Sequence, residues 1–247
     1  MKKIVYITLL IAVSSFFFAG CSQKLTDIQA EYLKLLKEPA TSESVWIAGD
    51  FLEKNLKRFD SYNADQMVIA YEDYIYSIDS EGLNYNEFLE RFVQYISQPL
   101  KSLYEIKLNE QESPMIIESK LVKSWDELSG RALFLEVFIK ENKNYPLIQE
   151  EAVVIYEQYL KAMLMGTAET PIFSFDGGNF NEAAQNAYMD LIAAYPDTTT
   201  AYILEKYFEY LSSINYALDN KDVAEITIFS DTCTHLVSEA GKRLCKR

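Results

Sequence analysis

Apolar side chains recur at three- and four-residue intervals along almost the whole chain. Leu25, Ile28, Tyr32, Leu35 and Leu36 keep that spacing. So do Val45, Trp46, Phe51, Leu52, Leu56 and Phe59, and then Met67, Val68, Tyr71, Tyr74, Ile75 and Ile78. This period stacks the apolar groups on one face of a helix. A loop is expected over 80–85, around Gly82, before the pattern resumes through Phe88, Leu89, Phe92, Val93 and Ile96. Pro99 marks a kink or restart, because proline lacks the helical N–H. Ser113-Pro114 reads as an N-cap with proline at the first helical position. Ser124 with Glu127 three residues on reads as a capping box, opening a helix through Leu128, Leu133, Leu135 and Phe138. Only 171–175, before Asp176-Gly177-Gly178, alternates like a short strand, and a loop fits that segment as well. The expected fold class is all-α: a helical bundle or an irregular α-α superhelix.

One segment type recurs. Residues 68–75 (Val68, Tyr71, Glu72, Tyr74) are echoed at 153–160 (Val153, Tyr156, Glu157, Tyr159) and again at Tyr207-Phe208-Glu209-Tyr210-Leu211. Two Tyr-Pro breakers, Tyr145-Pro146 and Tyr195-Pro196, separate helical stretches. The run Gly178-Asn179-Phe180-Asn181-Glu182-Ala183, followed by Tyr188, Leu191, Ile192 and Tyr195-Pro196, resembles the second helix of a tetratricopeptide repeat. Asn220 to Ala224 opens a similar stretch without the glycine. The resemblance covers the C-terminal region, its spacing is irregular, and the N-terminal half has no such motif.

The first twenty residues have a different character. Lys2 and Lys3 precede an apolar run from Ile4 to Phe18, interrupted only by Thr8, Ser14 and Ser15. The run is short for a membrane span but suits the apolar region of an export signal. Phe18-Ala19-Gly20-Cys21 resembles the lipobox of bacterial lipoproteins, with Phe18 where that family usually has Leu. The resemblance implies removal of residues 1–20, acylation of Cys21 and anchorage to a membrane through lipid. Ser22 resembles the outer-membrane address of such proteins rather than the retention signal. The expected organisation is therefore a signal peptide over 1–20, a lipid-anchored N-terminus with a short helix over 21–40, and one helical domain over 41–247. A subdivision of that domain is expected, if anywhere, near 109–114.

Charge narrows the partners. The chain carries −14, and loss of Lys2 and Lys3 with the signal makes the remainder −16. Such a field repels phosphate backbones and excludes nucleic acid as a partner. Membrane contact is left to the anchor, and an envelope protein is the expected partner.

Catalytic chemistry has little to stand on. The single histidine, His235, lies in no nucleophile motif, and one His with two Cys makes no convincing zinc site. Acid pairs such as Asp126-Glu127 and Glu150-Glu151 sit at expected helix starts, where they suit the helix dipole. No cofactor, metal or catalytic residue is expected. With Cys21 assigned to lipid, Cys233 and Cys245 are left in an oxidising compartment. A disulfide between them needs a turn, for which Gly241 is the obvious place. Two independent thiols are the alternative. Asp176, Gly177, Gly178 and Asn179 form a candidate ligand loop, either a weak calcium loop or a turn capping the next helix. Tyr71, Tyr74, Tyr156, Tyr159, Tyr207 and Tyr210 are expected in the core, or else on a concave surface that grips a glycan or peptide.

Together these readings describe a non-enzymatic, membrane-tethered envelope lipoprotein that binds another protein. Two alternatives stay open: a glycan- or peptide-binding lipoprotein of the outer membrane, and an immunity-type protein that neutralises a basic toxin in the periplasm.

Overall fold

A computed structural model describes residues 22–78, 83–174, 178–219 and 221–245. The segment 1–20 read as an export signal, Cys21, the loop glycine Gly82, Asp176 and Gly177 lie outside these residues. The fold is all-α, with ten helices among the described residues. No described helix is long and apolar enough to cross a membrane.

The chain forms two compact units that divide between Leu83 and Asn84. The division expected near 109–114 instead falls inside the second unit, and the first unit joins the short N-terminal helix to the two that follow. It contains α1 (Ser22–Leu35), α2 (Ser42–Asn55), a 3-10 turn at Leu56–Arg58 and α3 (Ser61–Tyr76). Tyrosines explain why α1 belongs there. Tyr32 is buried, donates its hydroxyl to Met67 O at 3.0 Å and stacks its ring on Phe51. Tyr71 donates to Val45 O at 3.0 Å, and Tyr74 reaches Ser44 Oγ at 2.8 Å and Glu38 O at 3.1 Å. Each phenol buries a ring while satisfying its own polar end.

The second unit holds α4 (Tyr85–Phe92), α5 (Gln98–Glu112), β1 (Ile116–Ile117), β2 (Lys120–Leu121), α6 (Trp125–Glu141), α7 (Pro146–Met165), α8 (Glu182–Ala194), α9 (Thr199–Ser213) and α10 (Val223–Cys245). α7 is its axis, packed by α5, α6 and α10, while α8 and α9 close on α6. Local sequence starts most of these helices. Asn84, Ser97, Ser124, Asn181 and Thr198 each accept a backbone N–H of the first turn on their side chains. Such caps contribute roughly 1 kcal/mol each. Pro99 falls in the first turn of α5, so it restarts the helix rather than kinking one.

One expectation fails here for a local reason. Ser113 does not open a helix but ends α5, its N–H bonded to Asn109 O at 2.8 Å. Pro114 leads into the β1–β2 hairpin, whose register pairs Ile116 with Leu121 and Ile117 with Lys120. The hairpin turns on Glu118 and Ser119, both at positive φ. That turn favours Asn-Gly, and its absence hid the hairpin. Of the segment 171–175, the described residues 171–174 make single bridges, Gly166 with Pro171 and Phe173 with Phe180, which is the loop alternative.

The C-terminus of α7 shows how the core was assembled. A helix leaves its last four carbonyls without helical partners. Here Ala162 O accepts from Gly166 N, and Met165 O from Ile172 N. Met163 O accepts the Tyr188 hydroxyl at 2.7 Å, and Leu164 O the Tyr207 hydroxyl at 2.6 Å. Tyrosines from α8 and α9 thus finish the helix end that they pack against.

Candidate functional site

α6 is apolar on more sides than one core can cover. Leu128, Ala132, Leu135, Phe138 and Ile139 are buried, yet Phe134 is 61% and Val137 44% exposed. Gly130, Phe134 and Val137 follow the helical spacing that aligns them on one outward face. A Cβ added at Gly130 would meet nothing within 4 Å, so the glycine leaves open space. A mid-helix glycine costs about 1 kcal/mol relative to alanine. Nothing in the packing of the fold requires that cost.

Two depressions flank the Phe134 ridge and share Gly130. The first, about 500 Å³, lies against α5 and α7, with Glu105, Ile106, Glu127, Arg131 and Tyr159 among its walls. The second, about 550 Å³, lies between α6 and α8, walled by Asp126, Leu133, Val137, Asp190, Leu191 and Tyr195. Tyr195 and, further along α8, Met189 are about half exposed.

The polar groups of the site are unevenly committed. The Arg131 side chain is nearly covered, pairs with Glu110 and donates to Glu127 Oε1 at 2.7 Å. Burial works against its charge, but Glu127 and Glu110 outweigh that and hold the guanidinium charged more firmly than usual. Burial first, and then the neighbouring Glu110, push the Tyr159 hydroxyl above the ordinary phenol range. Glu105 sits 3.7 Å from Lys101. Asp126 and Asp190 are exposed and have no cationic partner among the described residues. Four carboxylates thus line the two depressions, of which Asp126 and Asp190 have no cation beside them among the described residues, while Glu127 pairs with Arg131 and Glu105 stands beside Lys101.

The residues singled out in the sequence lie elsewhere. Cys233 and Cys245 stand on the single helix α10, which runs through Gly241 without a turn. Twelve residues of helix separate them by about 18 Å, so they are not bridged to each other. Cys233 is buried, with its thiol pushed up to about 12 by burial, and Cys245 is an exposed free thiol. Gly241 serves close packing instead. A Cβ there would come within 2.0 Å of Glu157 Oε1 on α7. His235 is exposed on the same helix.

Of the candidate loop, Gly178 and Asn179 are described, and Asn179 bridges Ala217. Gly178 has φ +61°, and a Cβ there would lie 1.9 Å from Leu218 O. Its carbonyl accepts Leu218 N, Asn179 O accepts Ser174 N, and Asn181 caps α8 through Ala184 N. These oxygens are spent within the fold. Gly178 therefore precedes α8 and serves a chain crossing, and does not sit in a helix–helix seam.

Of the six echoed tyrosines, Tyr71, Tyr74, Tyr156, Tyr159 and Tyr207 are buried and Tyr210 is half-buried. Sequence reasoning missed Gly130, Phe134 and Arg131. The available signal was the width of the apolar pattern over 128–139, which exceeds one helix face, together with Gly130 inside it.

No protein-family model matches this chain, and no curated protein and no solved structure matches it.

Proposed function

We propose that this protein is a non-enzymatic interaction module tethered by lipid to a bacterial cell envelope, with the outer membrane as its address. The observation that carries the interaction is the exposed Phe134 ridge between two depressions. What supports this reading is not one exposed ring but its continuity with exposed Val137 and Tyr195 around open space, since contiguous exposed apolar groups suit a surface that another molecule covers. The tether rests on Lys2-Lys3, the apolar run and the lipobox-like Phe18-Ala19-Gly20-Cys21. Five of the six echoed tyrosines are core groups, which leaves the glycan reading without the aromatic platform that motivated it.

The test is membrane fractionation of cells making the full chain, followed by in-cell photo-crosslinking from position 137 beside the ridge. The wild type partitions with membranes, Cys21→Ala does not, and one envelope protein is captured in constant ratio. A chain that remains soluble with an intact N-terminus removes the tether. A membrane-bound chain that captures nothing removes the interaction role.

A further inference from the structure

The two depressions beside Phe134 have a composition that selects what fits them. Their walls carry apolar groups, Ile106, Leu133, Val137 and Leu191, around the central ring. Their uncommitted charged walls are Asp126 and Asp190, exposed and without a cation among the described residues; Glu105 stands beside Lys101, and Glu127 shares Arg131 with Glu110. Gly130 joins the depressions with space that no neighbour in the fold uses. The surface is thus an apolar seat with an acidic border, opened by a glycine that the internal packing does not need.

Resting on the interaction role proposed above, we infer that this surface seats a cationic amphipathic helix of a partner protein. An amphipathic helix places apolar groups at positions i, i+3, i+4 and i+7. Such a stripe straddles Phe134 and sends side chains into both depressions, with the helix backbone closing over Gly130. Lys and Arg flanking the stripe meet the carboxylates of the rim, which gives orientation and speeds encounter. A second copy of this chain fits badly, because the same acidic border would face itself on a chain of net charge −14. Anionic lipid is repelled for the same reason.

The experiment is a titration of labelled synthetic helices against the full lipidated chain in neutral detergent. Three peptides of about eighteen residues, or five helical turns, are compared. One has a Leu stripe flanked by Lys, one has the same stripe flanked by Glu, and one has the Lys composition scrambled. The Lys peptide is expected to saturate at one per chain, with the other two weaker by about tenfold or more. Gly130→Leu fills the junction and Phe134→Ser removes the ridge, and each is expected to weaken the Lys peptide by a similar factor. Both positions face water, and thermal melts confirm that the variants fold.

Equal binding to wild type and both variants means diffuse attraction to an acidic protein and overturns the proposal. Preference for the Glu peptide, or no binding of any peptide, overturns it as well. A wild-type dimer that Gly130→Leu dissociates assigns the surface to a second copy instead. Failure of the peptides alongside capture of one partner at position 137 would sink this occupant and leave the interaction role standing.

Discussion

On α6 a glutamate is buried and a phenylalanine two residues earlier is in water. Glu136 has no exposed surface, while Phe134 is 61% exposed. Composition alone predicts the reverse. The difference lies in what each meets. Glu136 faces the start of α9, where it accepts Thr199 N at 2.6 Å, Thr200 N at 2.8 Å and the Thr200 hydroxyl at 2.6 Å, with Lys140 as its ion-pair partner. It therefore caps another helix from outside that helix, against the positive end of its dipole. Tyr156 extends the cluster through Thr200 Oγ1 at 3.0 Å. Phe134 faces a gap between helices that no element of this unit fills. Burial follows available partners, and polarity sets only its cost.

The largest expected effect comes from breaking the buried side. Glu136→Ala strands the N–H groups of Thr199 and Thr200, and should cost about 3 kcal/mol in urea unfolding. A cost under about 1 kcal/mol would show that Thr198 alone holds the start of α9.

Acid should erode the same contribution. Burial alone would raise the Glu136 carboxyl, but Lys140, the Thr200 hydroxyl and two backbone N–H groups outweigh it and hold it below the ordinary range. A depressed folded value means that its stabilisation is present above the unfolded value of about 4.3 and is lost as pH falls through the folded one. The stability gap between wild type and Glu136→Gln should therefore narrow as pH drops below about 4.3. A gap unchanged down to the acid limit of folding would contradict this account.

Smaller losses are expected at the end of α7. Tyr207→Phe leaves Leu164 O without its hydroxyl donor, and Tyr188→Phe does the same to Met163 O. Each should lower stability by about 1 kcal/mol. Because the two carbonyls are adjacent, the double variant tests whether the effects add.

The exposed side should barely respond. Phe134→Ser is expected to shift unfolding by less than about 0.5 kcal/mol. Gly130→Ala should raise stability by up to about 1 kcal/mol, because it adds helix propensity where nothing obstructs the new group. A destabilised Gly130→Ala would mean that α6 is more crowded there than its surface suggests.

Helices and caps were legible in the sequence because their signals are local. Ser124 caps α6 as the Ser-x-x-Glu spacing predicts. Five echoed tyrosines entered the core, one of the two outcomes that their period left open. Other features depended on distant segments. Cys233 and Cys245 carry no mark that α10 continues past Gly241, since that glycine answers to Glu157 on another helix. Ser113-Pro114 has the composition of a helix start, and its role as an end was decided by the hairpin that follows. The hairpin turns on Glu118-Ser119, which lacks the usual glycine.

The sequence by itself determined that the chain is helical, that one helix begins after Ser124, and that the chain is strongly acidic. These properties follow from side-chain period, capping chemistry and charge count, all read within a few residues. Only the tertiary structure decided that Glu136 is a buried cap, that Cys233 and Cys245 stay apart, and that Gly130 and Phe134 form an open seat. Each depends on which helix lies opposite, and pairing between segments dozens of residues apart leaves no local trace.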